Sequence, residues 1–134
     1  MSNVLVDSSV LLDLLTVDPV WYPRSAAALE RCAATSRLVI NPVIYAEVSV
    51  RFRRIEDLEE ALPRAWLVRA PLPWEAAFLA GKAFVRYRQQ GGARSAPMPD
   101  FFIGAHAAIE KMDLLTRDPT RVRTYFPTVT VREP

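Results

Sequence analysis

The sequence has one cysteine, one histidine and no long apolar stretch, and these shortages exclude several classes of protein. A lone Cys32 cannot form an intramolecular disulfide and cannot supply a metal site made of several cysteines. We expect it to be a small buried side chain in a reducing environment. No run of about 18 apolar residues is present, which argues against a membrane span. The N-terminus lacks the pattern of a signal peptide, so we expect a cytoplasmic protein.

Lysine is also scarce, because 15 of the 17 basic residues are arginine. Arginine is better suited than lysine to bidentate contacts with phosphate or carboxylate, although a compositional bias of the genome would produce the same excess. The 134 residues are 51% hydrophobic and 24% charged, with a net charge of +2. These values are typical of a globular protein, and we predict a single domain over residues 1–134.

Short apolar runs alternate with longer amphipathic segments along the chain. Runs that are apolar on both faces are typical of parallel strands covered by helices on both sides. The predicted strands cover residues 3–7, 37–40, 66–69, 113–116 and 128–131. This pattern predicts an α/β fold, a three-layer α/β/α sandwich with a central, mostly parallel sheet.

Capping residues mark where several helices begin. Ser8 and Ser9 are predicted to be N-cap residues of a short buried helix that ends before Asp18, and Asn41–Pro42 predicts the start of another. A further helix is expected to begin at Pro99. Other helical patterns cover residues 22–34, 55–64 and 74–90.

Four acidic residues stand beside or inside apolar segments, where a soluble fold does not place them by default. They are Asp7, Glu47, Asp100 and Asp118. A carboxylate in apolar surroundings lowers stability unless it is paired, hydrogen-bonded or bound to a metal. Four of them, far apart in sequence, therefore suggest a site that gathers them in space.

Each acid also has an ordinary structural explanation. Asp7 and Asp118 could each belong to a turn, and Asp100 could complement the dipole of the helix that it begins. Glu47 could pair with Arg51, but an exposed pair of this kind contributes only about 0.3–0.5 kcal/mol, too little to justify burying an acid. The structural explanation is therefore weakest for Asp7 and Glu47.

If the four carboxylates converge, they stay ionised together only with a cation among them, because like charges raise one another's pKa. Oxygen ligands without histidine or cysteine favour Mg²⁺ or Mn²⁺ over zinc. Such ions lower the pKa of an attacking water and stabilise the leaving oxygen of a phosphodiester. Phosphodiester hydrolysis is therefore the predicted chemistry.

Other polar residues near the acids are given supporting roles. Ser8, Ser9 and Thr116 could orient a carboxylate or a bound water by hydrogen bonding, or could cap turns. His106 is the only histidine, but it lies six residues beyond Asp100 and thus on another side of the helix. We predict a structural rather than a catalytic role for it.

Four segments together resemble the successive motifs of PIN-domain ribonucleases, and in particular the VapC-type toxins of bacterial toxin–antitoxin pairs. The resemblance extends over the full length of the chain, and the four motifs occur in the same order. They are Val4–Val10, Asn41–Val48, Pro99–Ala107 and Leu114–Asp118.

The resemblance implies a PIN-like sandwich whose acidic pocket binds Mg²⁺ or Mn²⁺ and cleaves RNA. It assigns the catalytic, metal-binding roles to Asp7, Glu47, Asp100 and Asp118, and all four positions are acidic in this chain. Ser8 stands where many relatives have threonine, which keeps a hydroxyl in place. The resemblance further implies a homodimer and a VapB-like antitoxin that blocks the pocket.

An acidic pocket that binds RNA needs basic side chains beside it, because carboxylates repel phosphate. Arg51, Arg94 and Arg117 are the first candidates for contact with RNA or an antitoxin, and for each of them we favour a solvated surface position or an antitoxin contact over an RNA contact. Further candidates are Arg53, Arg54, Arg86, Arg88, Arg121 and Arg123. The aromatic residues Trp21, Tyr22, Trp66 and Trp74 could stack on bases, but we favour core or interface packing for them.

Two other functions remain open. A binding module without catalytic activity could use the acids to receive a basic partner. An aspartyl phosphotransferase could use Asp7 as its nucleophile. The second alternative is weaker, because enzymes of the haloacid dehalogenase type need an aspartate two residues further on, where this chain has Ser9.

Overall fold

The computed structural model describes residues 2–134, and its centre is a five-stranded sheet in which all neighbouring strands are parallel. The order of the strands across the sheet is β3-β2-β1-β4-β5. The strands are β1 (Ser2–Val6), β2 (Ser36–Ile40), β3 (Leu67–Arg69), β4 (Asp113–Leu115) and β5 (Val131–Arg132).

Helices connect the strands and cover the sheet, which produces the predicted three-layer α/β/α sandwich. The helices are α1 (Ser8–Leu15), α2 (Tyr22–Thr35), α3 (Pro42–Ser49), α4 (Ile55–Ala61), α5 (Trp74–Gln89), α6 (Pro99–Glu110) and α7 (Thr120–Tyr125). The predicted fold class is thus confirmed. Within residues 2–134, no helix combines the length and the apolar character needed to cross a membrane.

The first strand is the central one, and its sequence explains that position. Val4, Leu5 and Val6 are fully buried, as expected for a strand that is covered on both faces. From β1 the chain first builds one side of the sheet with β2 and β3, and it later returns to the other side with β4 and β5. Ligands of open parallel sheets bind at such a reversal, beyond the carboxyl ends of the strands. The reversal here lies between β1 and β4.

The C-terminal region differs from the prediction. Residues 120–125 form α7, which was not predicted, and the last strand is Val131–Arg132 rather than 128–131. Buried Val122 and Phe126 hold α7 on the core, although α7 lacks a side-chain N-cap. The amide of Val129 donates to the carbonyl of Phe126, so a turn occupies the start of the predicted strand.

The start of α1 also differs from the prediction, because Asp7 rather than Ser8 or Ser9 is the N-cap residue. The reason is that both serine hydroxyls donate to carboxylates instead of accepting from the helix amides. By contrast, the predicted N-cap Asn41 does accept a hydrogen bond from the amide of Ile44. The predicted burial of Cys32 is likewise confirmed.

Candidate active site

One cavity at the carboxyl ends of β1 and β4 is lined by all four acids that the sequence singles out. The cavity has a volume of about 360 Å³. Asp7 directly follows β1, Glu47 lies in α3, Asp100 lies in the first turn of α6, and Asp118 follows β4. We call this space the acidic cavity. Four separate segments of the chain contribute its carboxylates.

The side chain of Asp7 is held in place by two hydroxyl groups, one from α1 and one from the segment after β4. Its Oδ2 accepts hydrogen bonds from Ser9 Oγ at 2.7 Å and from Thr116 Oγ1 at 2.8 Å. Its backbone amide donates to the carbonyl of Leu115 at 2.9 Å, which continues the pairing of β1 with β4. The carboxylate is therefore oriented before any ligand binds.

The loop after β4 is attached to the same hydroxyls. Thr116 Oγ1 accepts from the amide of Asp118 at 3.0 Å, and Ser9 Oγ accepts from the amide of Arg117 at 3.1 Å. Thr116 and Ser9 thus connect Asp7 to the segment that carries Asp118. This network joins residues that are more than 100 positions apart in sequence.

Glu47 carries the clearest electrostatic signal in the cavity. Burial raises the pKa of its carboxyl, and the negative charges of Asp7 and Asp100 raise that pKa further. A hydrogen bond that Ser8 Oγ donates to Glu47 Oε1 at 2.9 Å acts in the opposite direction. Burial and like charge outweigh this bond, so the surroundings of Glu47 disfavour its ionised form.

Asp100 already has a cationic partner. Arg121 Nη1 lies 2.7 Å from Asp100 Oδ2, and each side chain is a little more than one-third exposed. Arg121 comes from α7, the helix that the sequence did not predict. In the sequence, Arg121 is only one of several basic residues around Asp118. It lies 21 positions from Asp100, and this separation does not indicate that the two residues pair.

The donors of the acidic cavity suit a hard divalent cation. All four acids supply oxygen, the ligand type that Mg²⁺ and Mn²⁺ prefer. As the side chains stand, no group of three or more His, Cys, Asp or Glu residues among residues 2–134 is arranged to hold one ion. Arg121 contacts only Oδ2 of Asp100, so an ion bound through the other carboxylate oxygen would compete with the guanidinium for the same negative charge.

Behind the cavity lies a buried acid that the sequence analysis missed. Asp13 is 2% exposed, accepts a hydrogen bond from Ser25 Oγ at 2.7 Å and pairs with Arg117 Nη2 at 3.4 Å. The guanidinium of Arg117 also lies 4.9 Å from the centre of the Trp21 ring. Arg117 therefore lines the acidic cavity while it is anchored from behind.

The other predicted contact residues lie at different positions. Arg51 and Arg94 are exposed and are not among the residues that line the acidic cavity. Their contact with RNA or a partner stays a prediction. Of the aromatic residues, Trp21 is half-buried beside Arg24 and Arg117, whereas Trp74 is 89% exposed.

His106 is buried and serves a structural contact, in agreement with its predicted role. Asn41 Oδ1 accepts from the amide of Ile44, so the amide group of Asn41 must donate its hydrogen to His106 Nδ1 at 2.9 Å. Burial lowers the pKa of His106, which favours the neutral ring that this contact requires. The contact ties the start of α3, the helix that carries Glu47, to α6.

Replacing Asn41 by alanine is therefore expected to lower the free energy of unfolding by about 2–3 kcal/mol. The change removes a helix cap and leaves the Nδ1 of a buried histidine without a donor. Urea unfolding followed by circular dichroism would measure the loss. Asn3→Ala, at an asparagine whose side chain makes only an exposed contact, is the matched control. A loss below about 0.5 kcal/mol would contradict the assigned role.

One protein-family model matches most of this chain. The model of the PIN domain matches residues 4–126. A search of curated protein sequences found no match.

Three solved structures illustrate the similarity of the fold. VapBC2 from Rickettsia felis, bound to a promoter DNA fragment, aligns with a TM-score of 0.74 and 16% identity, covering 98% of both chains. VapBC-1 from nontypeable Haemophilus influenzae aligns with a TM-score of 0.73 and 17% identity, covering 98% of this chain and 97% of the other. FitAcB from Neisseria gonorrhoeae aligns with a TM-score of 0.70 and 16% identity, covering 96% of this chain and 95% of the other.

Proposed function

Because this chain belongs to the PIN-domain family, we propose that it is a Mg²⁺- or Mn²⁺-dependent endoribonuclease that acts as the toxin of a toxin–antitoxin pair. The observation that carries the proposal is the convergence of Asp7, Glu47, Asp100 and Asp118 around one cavity at the topological reversal of the sheet. Nothing in the packing of the core requires four acids there.

In this proposal the four carboxylates hold the cation. When bound, the cation activates water for attack on a phosphodiester and stabilises charge on the leaving oxygen. Ser9 and Thr116 hold the carboxylate of Asp7 in one orientation, and Ser8 does the same for Glu47. Arg117 supplies positive charge at the cavity wall, where the four carboxylates would otherwise repel a phosphate.

The experiment that tests the proposal is cleavage of structured RNA by the purified protein. We expect cleavage with Mg²⁺ or Mn²⁺ and a loss of about a hundredfold or more when a chelator removes the ion. Addition of excess Mn²⁺ should restore the activity of the same sample. Cleavage that continues unchanged in chelator would overturn the metal-dependent mechanism.

We extend the proposal to a VapB-like antitoxin, since the named structural relatives are VapBC complexes. An apolar groove of about 460 Å³ adjoins the acidic cavity and shares Glu47 with it. Its other walls include Val43, Val50 and Phe102. A partner segment that is apolar and ends in an arginine fits both features, because its apolar part fills the groove and its guanidinium enters the acidic cavity.

We also propose that two copies of the chain associate through α5. Trp74, Phe78 and Val85 are 89%, 68% and 48% exposed, and they lie within about 40° of one another around the helix axis. Such an apolar stripe on the surface of a small protein is typical of an interface. The occupant we favour is the same stripe of a second copy, as in a two-fold symmetric dimer.

Replacing Trp74 and Phe78 together by glutamate is accordingly expected to convert a dimer into a monomer. The added glutamates of one copy would face those of the other across the two-fold axis, and their like charges would repel. Size-exclusion chromatography with light scattering measures the mass. Glu replacements of Val17 and Val20, which are also exposed but lie between α1 and α2, provide the control. An unchanged mass for the Trp74 and Phe78 variant would contradict this interface.

The alternative of a binding module without catalytic activity keeps one supporting observation. Asp100 already receives an arginine within the chain, so the cavity is able to bind guanidinium groups. That alternative predicts partner binding that depends on Asp7, together with no RNA cleavage at any metal concentration. The cleavage experiment above separates the two functions.

A further inference from the structure

A second groove continues from the acidic cavity toward α5 and α7. It has a volume of about 470 Å³ and shares Asp100, Arg117 and Asp118 with the acidic cavity. Its remaining walls come from the segment 119–125 and from one residue of α5. They are Tyr87, Pro119, Thr120, Arg121, Thr124 and Tyr125. We call this space the side groove.

The lining of the side groove combines the chemical groups that bind single-stranded nucleic acids. Arg121 provides a guanidinium group, and Tyr87 and Tyr125 provide aromatic rings whose centres are 6.3 Å apart. Arg117 also lines the groove, and Arg86 adds a third positive charge beside it, with its guanidinium 5.6 Å from the centre of the Tyr125 ring. Aromatic rings that stack on bases, next to arginines that bind the backbone, are the general solution for single strands.

We propose that the side groove binds the nucleotide adjacent to the scissile phosphate of a single-stranded RNA segment. Arg121 is its phosphate ligand, and its base stacks on Tyr125 in place of the Arg86 guanidinium, which moves aside to the backbone. This inference rests on the proposed nuclease function, since it takes the acidic cavity as the place of cleavage. The shared residues place a nucleotide in the side groove next to that cavity.

The pair between Arg121 and Asp100 also couples RNA binding in the side groove to cation binding in the acidic cavity. Arg121 cannot give its full charge to a phosphate while its Nη1 lies 2.7 Å from Asp100 Oδ2. A cation bound to Asp100 would weaken the hold of that carboxylate on the guanidinium, and RNA bound to Arg121 would leave more of the Asp100 charge for the cation. Binding of the cation and of RNA should therefore strengthen each other, and this coupling is reciprocal.

The first measurement is RNA affinity in chelator, where no metal-dependent cleavage occurs. We expect Arg121→Ala to weaken binding of a short fluorescent single-stranded oligoribonucleotide by about threefold, measured by anisotropy, because without a cation Arg121 still shares its charge with Asp100. The slope of log affinity against log salt should fall by about 0.7, the value for one lost phosphate contact to a single strand. Arg123→Ala is the matched control, because Arg123 lies on the same helix and pairs with Glu133 instead.

Tyr125 is tested in the same assay by two replacements. Tyr125→Leu should weaken RNA binding by about fivefold or more, since a base loses its stacking partner. Tyr125→Phe keeps the ring and should bind like the wild type. Because Tyr125 also packs against Phe101, the melting temperature of each variant is recorded to separate lost stacking from lost folding.

The second measurement is Mn²⁺ affinity without RNA, by calorimetry. Arg121→Ala should bind Mn²⁺ about threefold more tightly, because the ion no longer competes with an arginine at Asp100. Arg123→Ala should bind like the wild type. A residue with a merely structural role would not produce weaker RNA binding together with tighter metal binding.

The outcomes distinguish this inference from the proposed function. If the wild type cleaves RNA and Arg121→Ala leaves KM and RNA affinity unchanged, the proposed RNA binding by the side groove is wrong and the nuclease function stands. If the wild type binds RNA through Arg121 but never cleaves it, the nuclease function is wrong and RNA binding by the side groove stands. A rise in KM for Arg121→Ala with little change in kcat supports both.

Discussion

Replacing Asp7 by asparagine is expected to lower metal-dependent RNA cleavage by about a hundredfold to a thousandfold. The change removes one negative charge from the residue that directly follows the central strand. The asparagine oxygen can still accept the hydrogen bonds from Ser9 and Thr116, so the loop after β4 should keep its place. Cleavage rates at saturating Mn²⁺ measure the loss, and circular dichroism checks that the fold is retained.

The matched control is Asp57→Asn, which removes the same charge from an exposed position in α4. It should cleave RNA like the wild type. Calorimetry should also show weaker Mn²⁺ binding for Asp7→Asn and unchanged binding for Asp57→Asn. If Asp7→Asn retains activity within a few-fold of the wild type, Asp7 has no catalytic role and the assignment of the acidic cavity fails.

The parts of the fold that the sequence predicted correctly are those controlled by local pattern. The apolar run Val4–Val6 identified a strand buried on both faces, and Asn41–Pro42 marked the start of α3 through a cap that the structure contains. The segment 120–125 carries no comparable signal. Its helix depends on the burial of Val122 and Phe126 against the rest of the protein, which is a tertiary effect.

Asp7 and Glu47 were recognisable because each conflicts with the apolar pattern around it, whereas Asp100 and Asp118 were recognisable mainly from the order of the motifs. The same criterion applies to Asp13, which stands between Leu12 and Leu14 and is more deeply buried than any of the four, yet it was overlooked. Its partner Arg117 lies 104 positions away. A sequence reveals the conflict of a buried charge with its surroundings, but the residue that resolves the conflict depends on the topology of the sheet.

Arg121 is a second residue whose partner could not be predicted from the sequence. On the sequence it is one of many arginines, and only the position of α7 brings it to Asp100. The structure thereby distinguishes Asp100 from Asp7. The side chain of Asp7 is held by hydroxyl donors, whereas that of Asp100 has a cationic partner with which the proposed metal would compete. Metal affinity should therefore depend on Arg121 as well as on the acids themselves.

Glu47→Gln is expected to raise the stability of the metal-free protein while it lowers RNA cleavage by about a hundredfold. Burial and the charges of Asp7 and Asp100 disfavour the ionised carboxyl of Glu47, and its pKa is raised for that reason. Glutamine has no charge, but its carbonyl oxygen can still accept from Ser8 Oγ. We expect the Tm to rise by about 2–5 °C at neutral pH, measured calorimetrically in chelator.

The pH dependence of this gain has a definite sign. Because the folded-state pKa of Glu47 is raised, its protonated form favours folding, and this contribution is lost as the pH rises through the folded-state pKa. The stability difference between Glu47→Gln and the wild type should therefore be largest at neutral pH and shrink on acidification. Glu60→Gln, at an exposed position of α4, should show no such difference. A Glu47→Gln variant that is less stable than the wild type at neutral pH would show instead that the surroundings of Glu47 stabilise its ionised carboxyl.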